Sequence, residues 1–326
     1  MKGPTLRAFA GQALLERLQR MLKESRGVRL GEDPECLHRM RVASRRLRSA
    51  LSLFESLFEG KETRRWRREV GGMARALGDG RDLDVQIQYL ETFIADCGDR
   101  GLRPGPERLL LRLRQRREGL QRTIVSSLDA FFDGPTPSAM AEAFRGLLER
   151  DFLCGAPKED DLGDRVAEAL FPLLARLLSF SGSARCPEDV EGLHSMRIAA
   201  KRLRYAVEIF LPHLGEGGEP LLDEARSLQA LLGRIHDDDV WIAFLPDFID
   251  EERRRTVAFY GHGRLFPRLL PGLEALERAV AADRTRTYEA FLDRWEELEG
   301  RGFWSDRIGA YRTEGEVERH ESDPDQ

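Results

Sequence analysis

The sequence is poor in the side chains that hold metals or form covalent cross-links. Its 326 residues include four cysteines and six histidines, and no two cysteines form a CxxC pair. A chain of this length can build a core without disulfides, so reduced thiols in a cytoplasmic protein are the simplest interpretation. We therefore predict no metal site and no cofactor.

Long apolar runs are also missing. No segment approaches the roughly 18 apolar residues that a membrane span requires. Charged residues interrupt the N-terminal segment at Arg7, Glu16 and Arg17. The sequence predicts neither a membrane segment nor a signal peptide.

Strand patterns and catalytic motifs are equally scarce. We find no convincing run of strict apolar–polar alternation, and no P-loop, GxSxG or HExxH motif. Helical periodicity dominates a chain that is 41% hydrophobic and 33% charged. This pattern predicts an all-α protein of amphipathic helices, without catalytic residues.

Several helix ends are predicted from single residues. Thr5 and Asp33 are expected to be N-caps, and Asp33 precedes a proline suited to the first turn. The glycines within 78–80 and Gly233 are predicted to end helices. Pro246 is predicted to kink or split its helix.

The chain contains an internal repeat. Residues 37–54 read LHRMRVASRRLRSALSLF, and residues 193–210 read LHSMRIAAKRLRYAVEIF. A second pair follows at nearly the same separation, with LGDGRDLDV at 77–85 and LGRIHDDDV at 232–240. Two segments in the same order at the same separation indicate a duplicated unit of about 155 residues. We expect a first helical-bundle half at 1–155, a second at 156–312 and a disordered acidic tail at 313–326.

Each repeated helix has two distinct faces at 100° per residue. One face is apolar and predicts core packing; in the first copy it comprises Met40, Ala43, Leu47, Ala50, Leu51, Phe54 and Leu57. The other face is cationic and begins with a histidine. It comprises His38, Arg41, Arg45 and Arg48 in the first copy, and His194, Arg197, Lys201 and Arg204 in the second.

The charge of these two faces is of one sign only. Residues 38–54 contain five arginines and no acid, and residues 194–207 contain four lysines or arginines and no acid. Acidic residues outnumber basic ones in the whole chain, 57 to 52. Solvated helix faces usually mix signs, because like charges three or four residues apart cost a few tenths of a kcal/mol per pair. The repeated segregation favours a bound anion over a merely solvated surface.

A linear polyanion fits this arrangement better than one small phosphate. Successive cationic residues lie about one helical turn apart, roughly 5 Å along the axis, and guanidinium groups match phosphate oxygens. A histidine beside phosphate is expected to favour its charged form. The nearest aromatic residue is Tyr205, and Ser49 takes its place in the first copy. Without interleaved aromatics for base stacking, nucleic acid is disfavoured.

Further cations are candidates for an extended site. Arg46 and Arg202 match each other in the repeat but point away from the cationic faces. Three more arginines are spaced four residues apart, at Arg108, Arg112 and Arg116. Acidic neighbours make simple ion pairing an equal alternative for these three.

The second repeated element contains the aspartates Asp82, Asp84, Asp237 and Asp239. Helix capping or ion pairing with basic residues would explain them. A metal-dependent phosphohydrolase using His236 and Asp237 is the alternative. It is weakened because Arg81 occupies the position of His236 in the first copy, and arginine is no metal ligand.

The paired motifs resemble the CHAD family, the conserved histidine α-helical domain, and the resemblance covers about residues 5–300. It implies two pseudo-symmetric antiparallel helical bundles that share a basic concave surface or channel. It also implies binding of inorganic polyphosphate and association with polyphosphate granules. Many relatives carry an adjoining CYTH domain, but its ExExK signature is absent here, so catalytic activity is not implied.

We therefore expect a non-enzymatic, cytoplasmic polyphosphate-binding protein. By motif position, the binding residues are the two histidine-led sets named above. The metal-dependent phosphohydrolase and a module binding nucleic acid or acidic proteins remain the alternatives.

Overall fold

The computed structural model describes residues 5–154 and 162–304. The predicted boundary near 155–157 and the predicted tail at 313–326 lie outside these residues, so both stay predictions. The described residues form helices and no strand, which confirms the predicted all-α class. None of the helices in this part of the chain is long and apolar enough to cross a membrane.

The described α-helices lie before and after residues 155–161, and we call these two groups the first and the second half. The first half contains α1 (Leu6–Lys23), α2 (Ser25–Leu30), α3 (Pro34–Leu53), α4 (Gly60–Asp96), α5 (Pro104–Phe132) and α6 (Thr136–Cys154). The second half contains α7 (Leu162–Leu178), α8 (Ser181–Ala184), α9 (Val190–Phe210), α10 (Gly215–Tyr260) and α11 (Leu270–Gly300). The two repeated histidine-led segments are therefore α3 and α9.

The predicted N-caps are confirmed. The Thr5 hydroxyl accepts a hydrogen bond from the Ala8 amide at 3.3 Å. The Asp33 carboxylate accepts one from the Glu35 amide at 2.9 Å. Each cap satisfies an amide that has no partner within its helix.

The predicted breaks at Gly78–Gly80 and Gly233 are wrong, because α4 and α10 continue through them. A Cβ at Gly80 would lie 2.8 Å from the Ile124 side chain and 3.1 Å from that of Leu37. Glycine is therefore needed there for close packing against α3 and α5, which offsets its helix cost of about 1 kcal/mol. No close contact explains Gly233. Pro246 does not split α10.

Two hydrophobic cores organise the packing. The larger core contains the apolar faces of α1, α3, α6, α7 and α9. It also contains the parts of α4, α5, α10 and α11 that pack against them, which are residues 66–77, 124–131, 221–235 and 288–298. Met40, Leu47 and Leu51 are fully buried in it, as the periodicity predicts. The smaller core lies between the distal parts of the hairpins α4–α5 and α10–α11, where Leu90 and Leu113 pack with Leu245 and Leu273. Both cores contain residues from both halves.

α5 and α11 approach each other closely where both helices begin. A Cβ at Gly105 would lie 2.2 Å from the Leu269 carbonyl oxygen, and a Cβ at Gly272 would lie 1.8 Å from the Leu102 carbonyl oxygen. Backbone atoms cannot rotate away as a side chain can. These two glycines therefore fix the contact that closes the smaller core.

We expect Gly272→Ala to lower the unfolding temperature sharply, because the methyl group would force the two helix starts apart. Gly119 is the matched control, since it lies inside α5 with open space around it. Gly119→Ala should be neutral or stabilising by roughly 0.5–1 kcal/mol. Thermal unfolding followed by circular dichroism measures both, and equal melting of the two variants would contradict the close approach.

Candidate anion-binding site

The two motif helices contact each other and bring their cationic faces together. Burial lowers the pKa of Arg45, and the charges of Arg41, Arg197 and Arg204 lower it further. Burial also lowers the pKa of Lys201 to about 8, with Arg197, Arg45 and Arg41 acting in the same direction. We call Arg41, Arg45, Arg197, Lys201 and Arg204 the cationic cluster.

The cationic cluster is poorly matched by acids of the protein. Among the described residues, Arg41 is its one member in an ion pair, with the Asp82 carboxylate 3.1 Å away. Asp237 is the second acid nearby. Burial raises its pKa, and the charges of Arg197 and Arg41 oppose that rise. Five cations therefore face two carboxylates.

The arginines of the cluster are held by burial more than by ion pairs. The Nε atoms of Arg45 and Arg204 are buried, and neither has a hydrogen-bond partner in the described part of the chain. The Arg204 guanidinium lies over the Tyr205 ring, 4.6 Å from its centroid. Like charges that are partly desolvated without counterions are costly, so an external anion would stabilise this arrangement.

His38 and His194, which begin the cationic faces, lie at the margin of the cationic cluster. Each lies beside a residue from the second repeated element. Burial and then the charge of Arg81 lower the pKa of His38. His194 contacts His236, with their Nδ1 atoms 3.1 Å apart. Burial and then Arg197 lower the pKa of His194. The pKa shifts of both motif histidines therefore favour the neutral form, and a charged form would need the nearby negative charge of a phosphate.

Arg48 is not brought together with the cationic faces of α9. Its guanidinium packs over Gly71 of α4, with its Cζ 3.5 Å from where a Cβ would be. The charges that lower its pKa, after burial, come from Arg67 and Arg75. Gly71 and Gly78 lie two turns apart on α4 and accommodate Arg48 and Arg41, respectively.

The further candidate arginines have varied positions. Arg46 forms a 2.6 Å ion pair with Glu208 of α9 and so ties the two motif helices together. Arg202 is exposed and contributes to the lowered pKa of Lys201.

Arg108 and Arg112 bind a different partner. They hold the carboxylate of Glu252, which is 1% exposed, at 2.6 and 3.0 Å. Glu252 follows His236 in α10 by 16 residues, a rise of about 24 Å. The structure therefore places these arginines away from the cationic cluster, beside a cavity of about 520 Å³. Arg116, which lies on α5 with Arg108 and Arg112, is exposed.

The repeated aspartates are not helix caps, because all four lie inside α4 or α10. Asp84 binds Arg117 of α5 at 2.7 Å, and Asp239 binds Arg284 of α11. Each pair therefore ties together the two helices of one long hairpin. Asp82 and Asp237 instead face the cationic cluster. In each copy, the first of the two repeated aspartates therefore belongs to the site and the last one stabilises the hairpin.

The metal-dependent alternative finds no ligand set in the described part of the chain. No group of three or more His, Cys, Asp or Glu side chains there could hold a metal ion. His236 directs Nδ1 at His194 instead.

The sequence model of the CHAD domain matches residues 12–246, and the chain belongs to this family. Two uncharacterized proteins from two strains of Mycobacterium tuberculosis are 26% identical to it over 250 residues. The match covers 70% of this chain but spans only 43% of the length of those relatives.

Two solved structures have a similar fold. The CHAD domain from the plant Ricinus communis superposes with a TM-score of 0.58 at 22% identity, covering 86% of this chain and 92% of that one. PptA from Streptomyces chartreusis gives a TM-score of 0.60 at 16% identity, covering 90% and 100%. These likenesses establish the fold.

Asp238, which follows Asp237 in α10, is a buried carboxylate that makes stability depend on pH. It is 5% exposed, and its Oδ2 atom has no hydrogen-bond partner among the described residues. Burial and then the charge of Asp283 raise its pKa to about 7. Between pH 4 and pH 7 the folded state thus binds more protons here than the unfolded state, and this group lowers the unfolding free energy as pH rises through that window.

Asp238→Asn should therefore stabilise the protein by roughly 1–3 kcal/mol at pH 8 and have little effect at pH 4.5. Asp239→Asn is the matched control, because it breaks the ion pair with Arg284 and should destabilise at pH 8. Denaturant unfolding at both pH values measures the difference. A pH-independent effect of Asp238→Asn would refute the raised pKa.

Proposed function

We propose that the protein binds inorganic polyphosphate through the cationic cluster, without catalysing a reaction. The observation that carries this proposal is the convergence of five cations from α3 and α9, of which Arg41 alone forms an ion pair in the described residues. A polymer of phosphates supplies many negative charges along a line. Binding should relieve the repulsion among these side chains.

A ligand without bases fits the site better than nucleic acid does. Tyr205 is the aromatic residue next to the cluster, and it is 2% exposed beneath Arg204. It therefore offers no face on which a base could stack. Guanidinium groups remain available for phosphate oxygens. Membership of the CHAD domain family supports the same ligand, and association with polyphosphate granules would follow.

The affinity of long-chain polyphosphate should depend steeply on salt. Neutralising about five phosphates predicts that the logarithm of the binding constant falls with a slope near −4 against the logarithm of salt concentration. Titration at several salt concentrations, with RNA and sulfate as competitors, measures this slope and the preference. RNA that displaces polyphosphate at equal charge would favour a nucleic-acid module instead.

Arg45→Glu together with Arg197→Glu should weaken polyphosphate binding by at least about 100-fold, because both charges of opposite helices are reversed. Arg264→Glu with Arg278→Glu is the control of equal net charge, since both residues are exposed and distant in sequence from the motifs. Circular dichroism checks that helices persist in both. Equal loss in the control would mean that overall charge governs binding and the cluster does not.

Lys201 predicts an alkaline limit for the same site. Its pKa of about 8 means that it loses its charge just above neutral pH in the free protein. The affinity should therefore fall by up to roughly tenfold between pH 8 and pH 9.5. Lys201→Arg should remove this fall, because a guanidinium stays charged. Parallel pH curves for the two proteins, measured at constant ionic strength, would contradict this role.

A further inference from the structure

The histidine pair next to the cationic cluster has an unusual geometry. His194 of α9 and His236 of α10 are both half-buried, with ring centroids 4.4 Å apart and Nδ1 atoms 3.1 Å apart. Two ring nitrogens at hydrogen-bond distance need one proton between them, with one nitrogen donating and the other accepting. The pair as it stands therefore cannot hold protons on both Nδ1 atoms.

The charges around the pair are mainly positive. On α9 it faces Arg197 and Lys201, and on α10 its neighbour in sequence is Asp237. From α3 and α4, Arg41 and Asp82 lie near Arg197. On α11, Arg284 and Asp283 are engaged by Asp239 and Arg234.

These surroundings keep the pair uncharged in the free protein. Burial lowers the pKa of His236 to about 4, and the charges of Arg197 and then His194 act in the same direction. Burial lowers the pKa of His194 as well. The nearby carboxylates do not outweigh these effects, so at neutral pH the second repeat presents two neutral imidazoles.

The first repeat has no histidine at the position that corresponds to His236. Arg81 occupies the place of His236 in the second repeated element, and its charge acts on His38. An arginine keeps its charge at every physiological pH. One side of the site therefore carries a permanent charge where the other side carries a titratable one.

We propose that His236 is an additional polyphosphate-binding residue and that, with His194, it couples binding to proton uptake. Phosphate oxygens beside the two rings supply negative charge and hydrogen-bond acceptors, both of which favour imidazolium. The two rings, once both are charged, separate and each donates to the polymer. Affinity then rises as pH falls from about 7.5 to about 5.5. This inference rests on the proposed function and concerns its regulation.

Calorimetric titration of long-chain polyphosphate in two buffers with different protonation enthalpies measures the protons taken up on binding. At pH 6.5 the wild-type protein should take up protons, and its affinity should be about tenfold higher at pH 5.5 than at pH 7.5. His236→Arg, which copies the first repeat, should take up fewer protons and flatten the pH curve. Arg81→His, the reciprocal change, should take up more protons and steepen the curve.

His262→Gln serves as the control, because this exposed histidine follows α10 beside Tyr260 and should leave the wild-type curve unchanged. Comparing variants at equal pH cancels any titration of the polymer itself. Proton uptake that is identical in the wild-type protein and both exchange variants would overturn the role of His236 while polyphosphate binding stands. Absence of polyphosphate binding at every pH would overturn both proposals.

Discussion

Packing of α3 against α9 sets up the repulsion on which the site depends. Two unit charges about 7 Å apart repel by roughly 2 kcal/mol at an effective dielectric constant near 20. Repulsion of this kind is why the charges of Arg41, Arg197 and Arg204 lower the pKa of Arg45. Phe54 at the end of α3 and Phe210 at the end of α9 oppose this repulsion, with ring centroids 6.0 Å apart. Phe9 of α1 stacks at 5.9 Å on Phe210.

The magnitudes show why the helices stay together. Phe54 and Phe210 are 2% and 1% exposed, and burying each such side chain contributes roughly 1.5–3 kcal/mol. The ion pair of Arg46 with Glu208 adds a tie between the same helices. Apolar packing at one end therefore holds the like charges together, and the fold needs no internal counterion for each of them.

Features that depend only on residues close in sequence, such as the buried face of a helix and its N-cap, were predicted correctly. The 3.6-residue period of α3 identified Met40, Leu47 and Leu51 as core and Arg41 and Arg45 as the opposite face. Thr5 and Asp33 acted as caps because a cap depends on residues within one turn. The repeat also pointed to Asp82 and Asp237, although not to their position facing the cations.

Long-range contacts decided the rest. Gly80 looked like a helix end, because the contact that requires a glycine there comes from the side chain of Ile124, far along the chain. Arg108 and Arg112 looked like an extension of the cationic track, because their partner Glu252 is about 140 residues away. Arg48 shared the periodicity of Arg41 but not its neighbours, since its guanidinium packs over Gly71 of α4, near Arg67 and Arg75. The repeated alignment of Arg81 with His236 was the one signal that could have revealed the histidine pair.

The smaller core, built from α4 and α5 of one half and α10 and α11 of the other, has a consequence for how the chain folds. Neither half can bury its own distal apolar residues, and Glu252 of the second half finds its guanidinium partners only on α5 of the first. Cleavage of the chain between α6 and α7 would leave two fragments, each with exposed leucines in the distal part of its long hairpin, which would favour aggregation. Helices from both ends of the chain therefore share this core, which is complete only after α11 has been synthesised.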